Sequence, residues 1–268
     1  MLTGPQIEIE RIFQAKRLWL FLDYDGTLAD FAPTPDDILP DRDIINLLVQ
    51  LKQHPNFKVA VVSGRRLDHL CALLPIPGLI LAGTYGIEIL LPDGKVHNRL
   101  KYEDVRPWLE NLKPQWENLI ANHIDFYLED KGWSLALHAR YADDQEAGQL
   151  LAEARNMAAR EIDLPLFRIL GGHKFLEASP KAANKGETIR FLLDQYPPNE
   201  RLPIYIGDDD KDEEAFQAVK QSAGIPILVT DEPRKSHAEL LIPTPHEVIK
   251  FLKSILSTKK QRNQNESF

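Results

Sequence analysis

The chain has 268 residues, of which 40 are acidic and 32 basic, so its formal charge is -8, and it contains one cysteine. An acidic chain lacks the basic surface of a general nucleic-acid binder. The lone Cys71 can form neither an internal disulfide nor a zinc knuckle, which indicates a reducing compartment such as the cytoplasm. Apolar runs such as Leu18–Leu22 are far shorter than the roughly 20 residues that cross a bilayer. We therefore expect a globular chain, monomeric or weakly oligomeric, with neither nucleic acid nor membrane as a partner.

The first hundred residues predict alternating strands and helices. Leu18–Leu22 is a short apolar run typical of a strand buried on both faces, and a polar, proline-rich loop from Asp23 to Pro40 follows it. Asp41 is suited to cap a helix whose apolar residues recur at helical spacing. Next come a second strand (Lys58–Val62), a helix (Leu67–Leu74) and a third strand (Leu79–Ala82). This order predicts a parallel sheet with right-handed crossovers.

A different pattern begins after Gly86. Pro92-Asp93-Gly94 is a hairpin signal between two short strand-like segments. Trp133–Tyr141 alternates in the manner of a strand with one packed face and one polar face. The elements that follow are a helix (Gln145–Ile162), a strand (Phe167–Leu170), a Gly171-Gly172 turn and a further strand (His173–Ala178). Residues 102–177 therefore read as a small α/β module inserted into the parallel domain.

The strand–helix alternation resumes after Pro180. Asn184 is predicted to open a capping box for a helix that ends near Tyr196. The remaining predicted elements are a strand (Pro203–Ile206), a helix (Asp212–Gln221), a strand (Ile225–Val229), a helix (Pro245–Leu256) and a frayed polar tail (Lys259–Phe268). The predicted fold class is α/β, with a Rossmann-like parallel-sheet core at 1–101 and 178–268 and an α/β insert at 102–177.

Four polar motifs fall at strand ends or helix starts of the predicted core. They are Asp23-Tyr24-Asp25-Gly26-Thr27, Val62-Ser63-Gly64-Arg65, Asn184-Lys185-Gly186 and Gly207-Asp208-Asp209-Asp210-Lys211-Asp212-Glu213-Glu214. Because ligands of open parallel sheets bind outside the carboxyl ends of the strands, these segments are expected to converge. Carboxylates at such a position suit a hard cation such as Mg²⁺. Taken singly, each motif also has a plain alternative: a turn, a helix cap, a solvated lysine, or acids that stabilise a helix dipole.

In this order the four motifs resemble those of the haloacid-dehalogenase-type phosphatase superfamily, and within it the trehalose-6-phosphate phosphatase family. Gly207–Phe216, with the sequence GDDDKDEEAF, is similar to that family's GDDxTDEDAF. The resemblance implies a phosphatase in which Asp23 is the nucleophile and Asp25 the general acid and base. It further implies that Ser63 and Lys185 bind the phosphoryl group, with Thr27 nearby. Mg²⁺ would be held by Asp23, the Asp25 backbone carbonyl and Asp208, supported by Asp209 and Asp212.

The resemblance also implies that the insert is a cap that reads the sugar. Its candidate substrate contacts are Glu129, Lys131, His138, Arg140 and Glu177, and the core adds Arg65 and Glu88. His138 is as readily a structural histidine, whereas the stripe of Trp133, Leu135 and Leu137 is expected to be core packing.

The chain departs from the family pattern at Thr84-Tyr85 (commonly Asn-His), at Lys211 (Thr) and at Ser179 (Arg). These departures leave the sugar open, with glucosylglycerol or glucosylglycerate phosphate as alternatives. A non-catalytic sugar-phosphate-binding domain is a further alternative, and a phosphomutase a weaker one.

Overall fold

The computed structural model describes residues 4–31, 39–172, 174–197, 200–232 and 234–265 of the chain. Part of the Asp23–Pro40 loop, His173 at the start of a predicted strand, and the last three residues of the predicted tail lie outside the described residues. The chain forms two compact units, one of residues 1–97 with 184–268 and one of residues 98–183. We call them the core unit and the insert unit. The insert unit is longer at both ends than the 102–177 segment expected from the sequence.

The helices and strands alternate through most of the described chain. The strands are β1 (Arg17–Leu22), β2 (Phe57–Val62), β3 (Ile80–Gly83), β4 (Glu88–Leu90), β5 (Val96–Asn98), β6 (Tyr127–Asp130), β7 (Leu135–His138), β8 (Phe167–Gly172), β9 (Phe175–Pro180), β10 (Arg201–Gly207), β11 (Ile225–Val229) and β12 (Leu240–Ile242). The helices are α1 (Gly4–Gln14), α2 (Arg42–Gln53), α3 (Leu67–Leu73), α4 (Tyr102–Ile120), α5 (Asp144–Glu161), α6 (Lys185–Gln195), α7 (Glu213–Gln221) and α8 (Pro245–Asn265). The fold is mixed α/β, as the sequence predicts.

The larger sheet has the strand order β12-β11-β10-β1-β2-β3-β4-β5. Pairing is parallel from β12 to β3, and β4 turns back antiparallel to β3. β1 lies in the middle, with Leu18, Leu20 and Leu22 in one buried cluster and Trp19 and Phe21 in the other. The apolar run therefore forms the predicted doubly buried strand. Because β1, β2, β3 and β10 run in the same direction, the polar motifs that follow them emerge at one edge of the sheet.

The insert unit contains a four-stranded antiparallel sheet with the order β6-β7-β9-β8. The polar face expected along Trp133–Tyr141 is wrong for most of its length, because Ser134 and Ala136 are fully buried and only His138 and Arg140 reach solvent. β7 is an inner strand, paired with β6 along one edge and with β9 along the other. Helix α4 has no counterpart among the predicted elements, and its two internal prolines, Pro107 and Pro114, explain why.

The C-terminal segment corrects another expectation. The predicted frayed tail is helical as far as Asn265, and Lys259 is only 1% exposed. The Lys259 ammonium donates hydrogen bonds to the carbonyls of Phe13 at 2.8 Å and Ala15, at the end of α1. A residue that looks solvent-facing in the sequence therefore fastens two helices. Among the described residues, no helix combines the length and the apolar character that a membrane span requires.

Candidate active site

The first acidic motif leaves β1 in a tight turn that brings its residues against the fourth motif. Gly26 has φ +71°, and a Cβ at this position would lie 2.3 Å from Asp208 Oδ2. Only a residue without a side chain allows this close approach. Thr27 Oγ1 donates to Asp208 Oδ1 at 3.3 Å. The sequence prediction that the first and fourth motifs converge is therefore met by direct contact.

Lys185 connects the carboxylates of this site. It follows the N-cap Asn184 at the start of α6, and its Nζ lies 2.9 Å from Asp23 Oδ1 and 2.5 Å from Asp212 Oδ1. Burial alone would lower the pKa of Lys185, but the Asp212 and Asp23 carboxylates raise it well above the ordinary lysine value. Lys185 is therefore a permanent ammonium with a fixed position, which opposes the negative charge around it.

Asp212 has its hydrogen-bonding capacity filled by the protein. Oδ1 accepts from Lys185 and from the Tyr205 hydroxyl at 2.6 Å, and Oδ2 accepts from the backbone amides of Asp208 at 2.9 Å and Asp209 at 3.0 Å. Asp212 is fully buried. It thus fixes the direction in which the loop after β10 presents Asp208 and Asp209. Tyr205 was not predicted as a site residue, because it lies inside an apolar strand and its hydroxyl is its only polar group.

Asp23, Asp208 and Asp212 form a carboxylate cluster with ligand oxygens within 4.8 Å of one another. Burial raises the pKa of Asp23 well above its ordinary value; Lys185 opposes this, and Asp212 and Asp208 add to it. Burial and Asp212 likewise raise the pKa of Asp208 to about 7. Crowded carboxylates of this kind are relieved by a hard divalent cation, and oxygen ligands are what Mg²⁺ selects. The donor set fits such an ion, with Asp23 and Asp208 contributing oxygens and Asp212 already saturated by donors.

Asp25 is paired with Arg65 from the second motif. Arg65 Nε donates to Asp25 Oδ2 and Arg65 Nη2 to Asp25 Oδ1, both at 2.7 Å. The Arg65 amide donates to Ser63 Oγ at 3.1 Å, and Ser63 is buried at the end of β2. A bidentate pair of this geometry fixes the orientation of the Asp25 carboxylate.

Two further residues predicted for the site in the core unit, Glu88 and Asp209, lie outside the carboxylate cluster. Glu88 begins β4 opposite Gly83, and Asp209 is partly exposed and caps the turn that contains Lys211. Asp209 therefore lies at the periphery of the carboxylate cluster.

In the insert unit, four of the predicted residues form one polar cluster on a face of the sheet. Glu177 is fully buried and accepts from Ser134 Oγ at 2.7 Å and from Lys131 Nζ at 3.4 Å. His138 Nε2 lies 3.0 Å from Glu129 Oε2. Arg140, beyond the end of β7, is exposed. The structure therefore brings Glu129, Lys131, His138 and Glu177 together, and their contact with a substrate stays a prediction.

A second ion cluster fixes the turn that carries Lys131. Asp130 accepts from Arg106 Nη1 at 2.8 Å, from Lys113 Nζ at 3.0 Å and from the Gly132 amide at 2.9 Å. Burial would raise the pKa of Asp130, but Arg106 and the Gly132 amide hold it well below the usual range. Arg106 lies on helix α4, which was not predicted, so no sequence pattern indicated this support.

The parallel sheet, with an acidic motif after its middle strand, a lysine opening α6 and a second acidic motif after β10, defines the haloacid-dehalogenase-type phosphatase fold. A profile of the trehalose-phosphatase family matches residues 21–242. This chain belongs to the trehalose-phosphatase family, which confirms the resemblance of the motifs.

Known relatives agree with this family. The trehalose-phosphate phosphatase of Mycobacterium marinum is 32% identical over 250 residues, covering 89% of this chain and 62% of that protein. A probable trehalose-phosphate phosphatase of Sinorhizobium fredii is 34% identical over 227 residues, covering 84% of this chain and 82% of the relative. The C-terminal domain of trehalose-6-phosphate phosphatase from C. albicans is similar in structure, with a TM-score of 0.82 and 21% identity over 96% of this chain and 97% of that domain. At 21% identity, this structural similarity supports the fold alone.

Proposed function

We propose that the chain is a Mg²⁺-dependent phosphatase that hydrolyses trehalose 6-phosphate to trehalose and phosphate through an aspartyl-phosphate, in the cytoplasm. The observation that carries the proposal is the group of Asp23, Lys185, Asp208 and Asp212 at the carboxyl edge of the sheet, all buried except the half-buried Asp208. A family match without this group would support the fold alone, and the group without the match would leave the substrate open.

Asp23 is the proposed nucleophile. One of its carboxylate oxygens attacks phosphorus, and the bond from phosphorus to the sugar oxygen breaks. A water molecule then attacks the phosphorus of the aspartyl-phosphate, the bond from phosphorus to the Asp23 oxygen breaks, and phosphate leaves. Splitting the displacement in two makes each step easier. Lys185 and Ser63 bind the phosphoryl oxygens as donors that are already in position, which stabilises the charge of the transition state. Lys185 opposes the rise in the pKa of Asp23 that burial causes, and so favours the ionised carboxylate that the attack requires.

Magnesium would be held by Asp23, Asp208 and the backbone carbonyl of Asp25. When bound, it supplies positive charge that neutralises the phosphoryl oxygens and lets a carboxylate approach them. Asp212 holds the Asp208 and Asp209 amides in place, so its role is to orient the ligand loop.

Asp25 is the proposed proton carrier. It gives a proton to the departing sugar oxygen and later takes one from the attacking water. Each of its oxygens accepts one hydrogen bond from Arg65 and keeps a further lone pair that can take a proton. Arg65 is thus proposed to set the direction of Asp25, in addition to the substrate contact expected from the sequence.

The insert unit is the proposed reader of the sugar. Lys131 hydrogen-bonds to Glu177 and forms an ion pair with Glu129, and such groups can exchange these partners for sugar hydroxyls. The rings of Tyr127 and Phe175 lie 5.9 and 5.3 Å from that of His138 and add an apolar surface for a pyranose. We expect Lys131→Met to raise KM for the sugar phosphate more than it lowers kcat.

A second candidate, a phosphatase of another glycosyl phosphate, is favoured by one observation. The Ser179 hydroxyl is fully buried and lacks a hydrogen-bond partner among the described residues. It lies on β9 where the family commonly has arginine. A different sugar could use that position, and glucosylglycerol or glucosylglycerate phosphate would be the alternatives to try.

The experiment is phosphate release from a panel of sugar phosphates with Mg²⁺ and with EDTA. The proposal expects Mg²⁺-dependent release from trehalose 6-phosphate well above that from glucose 6-phosphate or the two alternatives. Strong release from an alternative alone would move the assignment to that substrate. No release from any of them, with the protein folded, would overturn the catalytic proposal.

A further inference from the structure

The turn after β3 is strained and tightly held. Thr84, Tyr85 and Gly86 have φ of 48°, 56° and 89°, three consecutive residues in the left-handed region. All three are buried, and the Thr84 hydroxyl lacks a hydrogen-bond partner among the described residues. A non-glycine residue in this region costs about 1–3 kcal/mol and persists only where its surroundings fix it, which is characteristic of functional sites.

Hydrogen bonds fasten this turn to the two segments proposed to bind phosphate. The Thr84 amide donates to the Arg65 carbonyl at 2.7 Å and the Tyr85 amide to the Ser63 carbonyl at 2.8 Å. Thr188 Oγ1, one turn beyond Lys185 in α6, donates to the Tyr85 carbonyl at 2.7 Å. The turn therefore fixes the Ser63–Arg65 segment relative to the start of α6.

The strained backbone directs the Tyr85 side chain onto the second motif and toward the fourth. Its ring packs on Gly64, where a Cβ would lie only 2.7 Å from Tyr85 Cε1. Its hydroxyl accepts from Lys211 Nζ at 3.1 Å, and that ammonium lies 5.4 Å from the ring centroid. Tyr85 and Lys211 are two of the departures from the family pattern, and they contact each other.

Lys211 carries a positive charge on a strongly acidic segment. Its Nζ lies 3.9 Å from Asp209 Oδ2, and its side chain is 26% exposed, so it can respond to an anion that approaches from solvent. The second lysine of the site, Lys185, is buried and committed to Asp23 and Asp212. A dianionic phosphate ester that approaches Asp208 and Asp209 is repelled unless a nearby cation offsets them.

We infer that Lys211, held by the Tyr85 hydroxyl, is a substrate-affinity residue for the phosphate end of the substrate, and that Tyr85 is its positioning residue. The inference rests on the proposed function and deepens it. The pair adds an ammonium that is held beside Asp209, and neither residue is among those proposed above to bind the phosphoryl group. It acts on binding of the anion and not on the bond-breaking steps, which are proposed for Asp23 and Asp25.

The test measures KM for the sugar phosphate and the inhibition constant of inorganic phosphate for the wild type, Lys211→Thr, Lys211→Arg and Tyr85→Phe. We expect Lys211→Thr to raise both constants about threefold to tenfold and to flatten their dependence on NaCl concentration. Lys211→Arg keeps the charge and should stay within about twofold of the wild type. Tyr85→Phe keeps the ring but loses the acceptor and should fall between the two.

Lys220→Thr is the matched control. Lys220 is an exposed lysine of α7 that pairs with Glu239 at 3.1 Å. Replacing it by threonine changes the net charge by the same amount as Lys211→Thr. KM and the inhibition constant of this variant should equal those of the wild type. Unchanged constants in Lys211→Thr, or an equal change in Lys220→Thr, would overturn the inference while leaving the proposed function intact. If the wild type released no phosphate from any sugar phosphate, calorimetric titration of the Mg²⁺-loaded variants with inorganic phosphate would still decide it. Equal phosphate affinity in the wild type and Lys211→Thr would again overturn it.

Discussion

Removal of the Tyr205 hydroxyl tests whether Asp212 holds the loop that carries Asp208 and Asp209 in position. Tyr205→Phe keeps the buried ring and deletes only the oxygen that donates to Asp212 Oδ1 at 2.6 Å. A hydrogen bond to a charged, buried acceptor is worth about 1.5–3 kcal/mol. For a domain of this size, each kcal/mol lowers Tm by about 2–4 °C. We therefore expect a Tm roughly 3–12 °C below that of the wild type.

The same change should reach the reaction, because Asp212 aligns the Asp208 and Asp209 amides and shares Lys185 with Asp23. Loss of a group behind a metal ligand typically costs about 10–100-fold in metal affinity or activity. The assays are thermal unfolding by circular dichroism and the Mg²⁺ dependence of phosphate release. Tyr141→Phe, at a 63% exposed tyrosine, is the control and should change neither. A Tm and a Mg²⁺ dependence in Tyr205→Phe equal to those of the wild type would refute the reasoning about Asp212.

Three further predictions concern proton transfer, the metal and the C-terminal helix. Arg65→Met should lower kcat for a sugar phosphate at least tenfold more than kcat for p-nitrophenyl phosphate, whose leaving group needs no proton from Asp25; equal losses would contradict the pairing. Because the pKa of Asp208 is raised to about 7, the folded apoprotein keeps a proton that the unfolded chain loses above about pH 4, so this group's contribution to stability falls as pH rises toward 7. The rise in Tm caused by Mg²⁺ should accordingly grow between about pH 5 and 8 and vanish in Asp208→Asn; a pH-independent rise would argue against this site. Lys259→Met should cost about 2 kcal/mol of unfolding free energy in denaturant titrations and Lys253→Met almost nothing, since only Lys259 is buried against the end of α1; equal costs would show that the tie to α1 contributes nothing.

The fold was predictable where local pattern and tertiary burial agree. Leu18–Leu22 forms a buried strand because both of its faces are apolar, and Asp41 caps α2 by accepting from the amides of Asp43 and Ile44. Helix α4 was not predictable by the same reasoning because Pro107 and Pro114 contradict a helical reading. Only the part of α8 beyond Leu256 was missed, because this polar end is held by Lys259, whose carbonyl partners lie about 245 positions away in the chain.

Some residues of the candidate site were likewise predictable from the sequence and others were not. Asp23, Lys185 and Asp208 could be placed together because each stands at a strand end or helix start of a parallel sheet, where topology decides proximity. The hydrogen bonds of Tyr205 to Asp212 and of Tyr85 to Lys211 depend on side-chain directions that no local pattern encodes. Sequence thus indicates which groups do the chemistry, while the groups that hold them in position emerge only from the packed structure.

The central claim is that Asp23 becomes phosphorylated during turnover. Rapid acid quench of the Mg²⁺-loaded protein with phosphate-labelled trehalose 6-phosphate, followed by borohydride reduction, converts a phosphorylated aspartate to homoserine that mass spectrometry can locate. The account predicts homoserine at position 23, labelled protein in the first turnover, and neither in Asp23→Asn. Label at another residue, or Mg²⁺-dependent phosphate release by Asp23→Asn at a rate close to that of the wild type, would contradict it.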